Sequence, residues 1–327
     1  MDALSEILRV VQLSGAFFVN ARFSAPWCYQ SPAAALAAPW LDPCAEQVVI
    51  FHLITEGECL VEIEGAPPLP AQAGDVVLFP RGCAHRMTSE AGLPSPPREA
   101  DLKRLLSSRP RKLAYGGGGT VTRMVCGYLA CDTRLAKLLL NGLPSVVQVG
   151  LRGSAAGAWL ESSVHYALAE ARAPRAGSAG MQAKLAELLF IEVLRQHVHN
   201  EETRGGWLAG LGDRIVGNAL NSLHQRPGQE WSLAELARAA GTSRTVLAER
   251  FQQLVGTSPM QYLTQWRMLM AANLLRRGNV PLSRVAEEVG YQNDTSFSRA
   301  FRREYGQPPA AWRRTTFQQG IAASAAP

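Results

Sequence analysis

Three side chains of the kinds that ligate divalent metals, His52, Glu58 and His85, lie in the β-branched first part of the chain. Imidazole and carboxylate groups together suit several transition metals. In "ECLVEIE" (58–64), however, every second residue from Cys59 onward is apolar. A strand here turns that apolar set inward and Glu58 outward. Two histidines alone are a poor ligand set, so we predict no bound metal and no other cofactor. His52 and His85 are then polar groups lining an interior effector-binding cavity, or satisfied core residues.

The thiols are a second source of chemistry, because all six cysteines precede residue 132. None are spaced as a CxxC pair, which argues against a structural zinc site. Cysteine commonly serves as a small buried apolar residue, and that interpretation competes with oxidant sensing. The redox candidates are Cys28, Cys83 and Cys126. In "RGCAHR" (81–86), Cys83 stands among two arginines and a histidine, and positive neighbours are expected to lower its pKa.

The positive charge is confined to one part of the chain. Residues 1–204 carry 19 Lys and Arg against 19 Asp and Glu, whereas residues 205–327 carry 14 Arg, no Lys and 8 acidic residues. The difference, 14 − 8, accounts for the whole net charge of +6. Guanidinium is a rigid multi-donor group suited to phosphates and guanine edges. The basic part is therefore a candidate for binding nucleic acid.

That same part contains an internal repeat, "SLAELARAAGTSRTVLAERF" (232–251) and "PLSRVAEEVGYQNDTSFSRAF" (281–301). Up to the glycine the two copies are offset by 49 residues, and beyond it by 50. Each copy predicts a short helix, a glycine turn and a second helix held down by apolar residues four apart. Gly241 and Gly290 can adopt the left-handed conformation that ends a helix. We expect Ser243 in the first copy, and Asp294 or Thr295 in the second, to cap the next helix.

Over 213–314 the chain resembles the AraC/XylS-type bacterial transcription regulators. The most specific elements are "YLTQWRMLMAANLLRR" between the copies and the ending "VAEEVGYQNDTSFSRAFRREYGQPPAAWRR". The resemblance implies a domain of seven helices starting at 213–225, double-stranded promoter DNA as partner, and contact with RNA polymerase. The residues it places at base edges are Thr245, Ala248, Glu249, Thr295, Ser298 and Arg299. Those it favours for phosphates are Arg244, Arg302 and Arg303.

Glu249 departs from that family, whose members often carry a basic or amide residue at this place. A carboxylate is repelled by DNA phosphates but can accept a hydrogen bond from cytosine N4. The alternative is that Glu249 pairs with Arg250 or another arginine within the protein.

The first 130 residues resemble the cupin-type effector domain of one branch of these regulators. "GDVVLFPRGCAH" (74–85) matches the second cupin motif, and "HLITEGECLVEIEG" (52–65) offers His52, Glu58 and Gly65 at the spacing of the first. Ile54 stands where the second histidine of that motif belongs, which removes a metal ligand in addition to the outward-facing Glu58.

We therefore expect an α+β protein: an N-terminal antiparallel β-barrel of cupin type with a helical connector, then an all-α double helix-turn-helix domain.

A stripe of leucines and valines from Leu185 to Leu194 favours a core helix over a dimer seam. Asp2 lies near the N-cap of an N-terminal helix that does not resemble a signal peptide. The predicted regions are a sensing domain at 1–131 with a flexible loop at 91–120, a connector at 132–204, a link at 201–212, and a DNA-binding domain at 205–327 with units at 232–254 and 281–305.

The predicted function is a cytoplasmic, dimeric transcription regulator whose DNA-binding domain is controlled by a small molecule or a thiol-modifying signal, without membrane association. A metal-dependent cupin enzyme fused to a DNA-binding module is the alternative, and stoichiometric bound metal would favour it. A non-specific architectural DNA-binding protein fits the charge but gives the first domain no role.

Overall fold

The computed structural model describes residues 2–10, 14–41, 45, 47–94, 112–131, 139–140, 142–170, 175–199, 206–276, 278 and 280–324. Within these ranges the chain forms two compact units. One contains the ten described strands and three helices. The other is helical and contains the first helix of the chain, α1 (Ala3–Val10), with all described residues from Gly206 onward. None of the described helices has both the length and the apolar character of a membrane span.

The strand-rich unit consists of two sheets around a common core. Its strands are β1 (Ser14–Ser24), β2 (Cys28–Ser31), β3 (Gln47–Glu56), β4 (Glu58–Glu62), β5 (Leu69–Gln72), β6 (Asp75–Phe79), β7 (His85–Thr88), β8 (Lys112–Gly116), β9 (Val121–Cys131) and β10 (Val147–Gly150). Its helices are α2 (Ala34–Leu41), α3 (Ala155–Glu170) and α4 (Ser178–His199).

The larger sheet has the order β10-β6-β3-β9-β1-β8, and the smaller has the order β2-β7-β4-β5. Neighbouring strands are antiparallel except β1 and β8, which are parallel. Alternate residues of both sheets enter the same core, including Phe23, Ile54 and Met124 from the larger sheet and Val61 and Met87 from the smaller. The expected α+β class with a cupin-type β-domain is thus present, as two facing sheets with one parallel pair.

Two strands lie where the sequence interpretation placed none. Residues 112–116, within the expected flexible loop at 91–120, form β8 at an edge of the larger sheet. Residues 147–150, within the expected helical connector, form β10 beside β6. Both strands are only four or five residues long. They gain their stability from pairing with a longer neighbour, which the local sequence does not reveal.

Helices α3 and α4 belong to the strand-rich unit and do not form a separate connector. Helix α4 packs against β1, β9 and β10. The outer face of β9 carries Val125 and Leu129, which are buried and need such a cover. The core interpretation of α4 is confirmed, since Leu185, Leu189, Val193 and Leu194 are all buried, whereas Leu188 is 40% exposed.

The helical unit continues with eight described helices. They are α5 (Trp207–Gly212), α6 (Arg214–Gln225), α7 (Leu233–Ala239), α8 (Arg244–Val255), α9 (Pro259–Arg276), α10 (Leu282–Glu288), α11 (Asp294–Tyr305) and α12 (Pro309–Ser324). Seven of them, α6 to α12, correspond to the seven helices that the resemblance implied. Helices α7 and α8 occupy the first predicted helix-turn-helix unit to within a residue, and α10 and α11 occupy the second.

Two segments of the helical unit differ from the sequence expectation. The glycine-rich stretch expected to be an interdomain link contains helix α5, because Trp207 and Leu208 are buried and the indole N–H of Trp207 donates to the Tyr262 hydroxyl at 2.5 Å. Helix α1, expected to belong with the sensing domain, packs instead on α6 and α9. Its Ile7 is fully buried, and the Ala3 amide donates to Asn221 Oδ1 at 2.8 Å.

Candidate DNA-binding surface and sensor site

The first helix-turn-helix unit is fixed by short-range hydrogen bonds. Ser232 and Glu235 form a reciprocal capping box at the start of α7. Gly241 then takes φ +71°, and Ser243 accepts a hydrogen bond from the Val246 amide at the start of α8. The predicted turn glycine and cap are confirmed here.

The second unit repeats this construction with one difference. Gly290 takes φ +83°, as expected. The cap of α11 is Asn293, whose Oδ1 accepts from the Ser296 amide at 2.8 Å, so the expectation of Asp294 or Thr295 is wrong. The repeat itself contains the signal that was missed, because the 50-residue offset beyond the turn maps Ser243 onto Asn293. With Asn293 as the cap, Thr295 remains exposed on the helix surface.

Both second helices bury one face and present the other to solvent. Leu247 and Phe251 of α8, like Phe297 and Phe301 of α11, have no exposed surface. Of the residues predicted to contact DNA, Ala248 and Ser298 are half-buried. The exposed members are Arg244, Thr245, Glu249, Thr295, Arg299, Arg302 and Arg303. Each set therefore lies on the solvent side of its own helix.

The Glu249 carboxylate does not take the intramolecular partner considered for it. Arg250 donates from Nε to Asp213 Oδ2 at 2.7 Å, and its Nη2 forms an ion pair with the same oxygen at 2.6 Å. Among the described residues, Glu249 has no ion pair, and its side chain is exposed. The interpretation in which Glu249 pairs with Arg250 is wrong, and the carboxylate is available to a ligand outside the chain.

The two helix-turn-helix units are joined through Arg267 of α9. Arg267 donates to the carbonyl oxygens of Pro227 and Gln229, each at 2.8 Å, and its guanidinium lies 5.7 Å from the Tyr291 ring centre. A Cβ on Gly290 would lie 2.7 Å from the Gly228 Cα. The loop before the first unit and the turn of the second therefore touch at backbone distance. This contact fixes the placement of one unit relative to the other.

In the strand-rich unit, His52, His85 and Cys126 form one buried chain of hydrogen bonds. Cys126 Sγ lies 2.9 Å from His52 Nδ1, and His52 Nε2 lies 2.8 Å from His85 Nε2. His85 Nδ1 in turn lies 2.9 Å from the Cys83 carbonyl oxygen. His85 is also stacked on Phe79, with ring centres 3.6 Å apart.

The Cys83 carbonyl oxygen, at one end of this chain of hydrogen bonds, determines which atom carries each hydrogen. A carbonyl only accepts, so His85 Nδ1 carries a hydrogen and, in a neutral ring, His85 Nε2 accepts. His52 Nε2–H then donates to His85, His52 Nδ1 accepts, and the Cys126 thiol donates. Burial lowers the pKa of His52 well below its usual value, lowers that of His85 to about 4, and raises that of Cys126. The chain is therefore uncharged at neutral pH.

The three redox candidates have different surroundings. Burial raises the pKa of the half-buried Cys83 thiol despite the charge of Arg81, so the expectation of a lowered pKa is wrong. Its thiol donates to the Ser145 carbonyl at 3.6 Å. Cys28 is buried, and Arg86 Nη2 donates to its sulfur at 3.4 Å. Within the described ranges, Cys28 is the one of the three whose sulfur accepts a hydrogen bond from a cationic side chain.

Of the three side chains considered as metal ligands, His52 and His85 are in contact, whereas Glu58 lies apart from them. Glu58 is exposed while Cys59 and Val61 are buried, which confirms the alternation predicted for β4. Ile54 is fully buried in the core. Within the described part of the chain, no group of three His, Cys, Asp or Glu side chains is arranged to hold a metal ion.

The fold and this surface define a DNA-binding transcription regulator, with two helix-turn-helix units and a cupin-type domain. Residues 2–199 match the cupin family model, and residues 236–315 match a helix-turn-helix domain model.

The chain is 34% identical to an AraC-like transcription regulator of Streptomyces antibioticus, over 83% of this chain and 88% of the relative. It is 27% identical to the transcriptional regulator AlkR of Acinetobacter baylyi, over 96% of this chain and 99% of the relative. Among solved structures, the DNA-binding domain of AdpA in complex with a target DNA is 26% identical, covers 33% of this chain and 96% of that one, and has a TM-score of 0.32. The chain belongs to the AraC-like transcription regulators with a cupin-type N-terminal domain.

Proposed function

We propose that this regulator reads promoter DNA with the solvent faces of α8 and α11. Thr245, Ala248 and Glu249 would contact base edges from α8, and Thr295, Ser298 and Arg299 would do so from α11. Arg244, Arg302 and Arg303 would contact phosphates, which set the register without specifying sequence. The observation that carries this proposal is the lock between the two units through Arg267 and Gly290, since it presents both helices in one fixed arrangement.

The test is genome-wide mapping of bound sites, followed by titration of the best site and of random DNA. Arg299→Ala should cost roughly 1–3 kcal/mol on the specific site and relax discrimination at one base pair. Arg284→Ala, which removes an exposed arginine from α10, is the matched control. Equal losses of binding free energy on specific and random DNA would show that Arg299 contacts only phosphate. Absence of any preferred site would contradict the proposal.

We further propose that the strand-rich unit receives the signal, either at the His52–His85 chain or at a thiol, Cys28, Cys83 or Cys126. Because the hydrogen-bonded chain has a single consistent set of protons, a ligand or modification that replaces one partner must rearrange the others. Such a signal changes DNA occupancy only to the extent that it favours one state of the protein, typically by 1–3 kcal/mol. The proposed action is that of a cytoplasmic homodimer that contacts RNA polymerase and carries no enzymatic activity.

Promoter output in cells that carry single substitutions separates the two versions. Loss of an oxidant response in one Cys→Ser variant, with DNA binding retained, supports the thiol version. Loss of small-molecule induction in His52→Ala or His85→Ala, with all thiol variants behaving as the parent, supports the histidine version. A response that persists in every variant would place the sensor elsewhere.

A further inference from the structure

The outer face of the larger sheet carries a groove of about 540 Å³, bordered by helix α3. Its lining includes the cationic side chains of Arg22 from β1, Lys112 from β8 and Arg123 from β9, and the imidazole of His165 from α3. His52 and Cys126 project from the inner face of the same sheet, on the same side as the core residues Ile54 and Met124. The groove is therefore separate from the histidine chain.

Two of these cations face each other directly. Arg22 and Arg123 are register partners on the antiparallel strands β1 and β9, so both side chains project from the same face. Both are exposed, while their neighbours Phe23 and Met124 are buried on the other face. Like charges directly opposite on neighbouring strands destabilise a sheet. Such a pair is stabilised when an anion lies between the two guanidinium groups.

Paired residues on β8, β1, β9 and β3 form a row across the sheet that contains both arginines, and this row includes one carboxylate. On β3, Glu56 is the register partner of Arg123, and the two form an ion pair. On β8, the register partner of Arg22 is Ala114, which offers only a methyl group. Among the described residues, Arg22 has no ion pair. The charge of Arg22 is thus uncompensated along this row of the sheet.

The neighbouring row adds a further cation and leaves space. Lys112 pairs with Asn20, two residues along β1 from Arg22. From the helix side, His165 and Ala169 are one turn apart and both line the groove. The small side chains of Ala114 and Ala169 leave the volume open between sheet and helix. That volume lies within the ~300–1,000 Å³ usual for small-molecule sites.

We propose that this groove binds the oxyanion head, a carboxylate or a phosphate, of a small organic molecule. The guanidinium groups of Arg22 and Arg123 hold the head by charge-assisted hydrogen bonds, and Lys112 adds a third donor. The alanines accommodate the apolar part of the ligand. That such a ligand acts as the regulatory signal rests on the proposed function; the binding itself does not.

The test compares thermal unfolding of the full chain in sodium phosphate and in sodium chloride, at equal ionic strength and pH. The parent should unfold at a higher temperature in phosphate, and Arg22→Gln and Arg123→Gln should each lose at least half of that shift. Arg22→Lys should show an intermediate shift in unfolding temperature, because lysine keeps the charge but lacks the planar guanidinium that donates two parallel hydrogen bonds. Arg195→Gln, an exposed arginine on α4 outside the groove, should keep the full shift. Any phosphate effect on the DNA-binding helices is common to all variants.

Calorimetric titration with benzoate and with its neutral analogue benzamide identifies the head group. Saturable benzoate binding, weakened about tenfold or more by Arg22→Gln, indicates a carboxylate site. A phosphate effect without benzoate binding indicates phosphate. Equal binding of benzamide and benzoate, or identical anion responses in the parent and both glutamine variants, would overturn the proposal. No DNA is present, so a failure of the proposed function leaves this result unaffected.

Discussion

Arg250 of α8 donates a hydrogen bond from Nε to Asp213 Oδ2, and its Nη2 lies 2.6 Å from the same oxygen; Asp213 precedes helix α6. Asp213 also caps α6, since its Oδ1 accepts from the Ile215 and Val216 amides. One carboxylate thus caps the start of a helix and compensates the charge of an exposed arginine. Although burial raises the pKa of Asp213, the hydrogen bond from Arg250 and the capping amides outweigh it, and the net shift is downward.

Replacing Asp213 separates its two roles. Asp213→Ala removes the cap and should cost about 0.5–2 kcal/mol of unfolding free energy, whereas Asp213→Asn should keep most of the cap. Because the pKa of Asp213 is lowered on folding, its charge stabilises the fold above pH ~4, and this contribution is lost as pH falls further. Denaturant titrations at pH 7 and pH 3 check this. A gap between the parent and Asp213→Asn that is as large at pH 3 as at pH 7 would count against the ion pair.

The same Asp213→Asn change should alter DNA binding, because it releases the charge of Arg250. We expect tighter binding to random DNA and a salt dependence steeper by about one released counterion. Measured affinities across a salt series provide the check. An unchanged slope would show that Arg250 lies outside the DNA-binding surface.

Glu249→Gln tests whether the free carboxylate reads a base. A carboxylate lowers general affinity for phosphates but can select cytosine. The glutamine variant should bind random DNA more tightly and should lose discrimination at one position of the specific site. Binding measured against a library randomised at each position would show this. Tighter binding with unaltered preference at every position would assign Glu249 a purely electrostatic effect.

The two turn glycines form a matched pair for measuring the contact between the units. Gly241 and Gly290 both have positive φ, but a Cβ on Gly241 would meet nothing within 4 Å, whereas one on Gly290 would meet Gly228 and Arg267 below 3.0 Å. Gly241→Ala should cost about 1–2 kcal/mol for the backbone alone. Gly290→Ala should cost roughly 1–3 kcal/mol more, since the loop must move. Equal unfolding free energies for the two variants would mean that this contact contributes little.

Acid should loosen the strand-rich unit through its histidines. Burial lowers the pKa of His85 to about 4, below its ordinary 6.5, so the unfolded chain takes up the proton first as pH falls. Stability should therefore decrease from pH 6.5 towards pH 4, by roughly 3 kcal/mol for His85 alone. Hydrogen exchange of β3 and β7 peptides follows this unit separately. His85→Phe should flatten the pH dependence of this unit's stability, and an equally steep dependence in that variant would contradict the prediction.

The sequence was sufficient where a local rule decides the structure. The two helix-turn-helix units follow from the repeat, and the outward orientation of Glu58 follows from strand alternation. The predictions that failed are those in which a residue distant in sequence determines the local structure or the pKa. Strand β8 forms because β1 lies beside it. The pKa of Cys83 is raised by burial, which the residues next to it in the sequence do not indicate.

The groove residues illustrate the same limit. Arg22, Lys112 and Arg123 are scattered along more than 100 residues and stand in no motif. Only the register of β1 against β8 and β9 brings them together. A positive cluster of this kind is a property of strand order, which single-sequence patterns leave open.

Helix α1 gives the chain an unusual order of assembly during synthesis. The Ala3 amide is bound by Asn221, 218 residues later, and Asn273 donates to the Val10 carbonyl from farther still. At a ribosomal rate of ~5–20 residues per second, α1 emerges roughly 10–40 seconds before its first partner. During that interval its buried face, with Ile7 at the centre, has no native surface to cover it. Helix α1 is thus made long before the helices that cover it, and the helical unit cannot close around Ile7 until the segment that contains Asn273 has been translated.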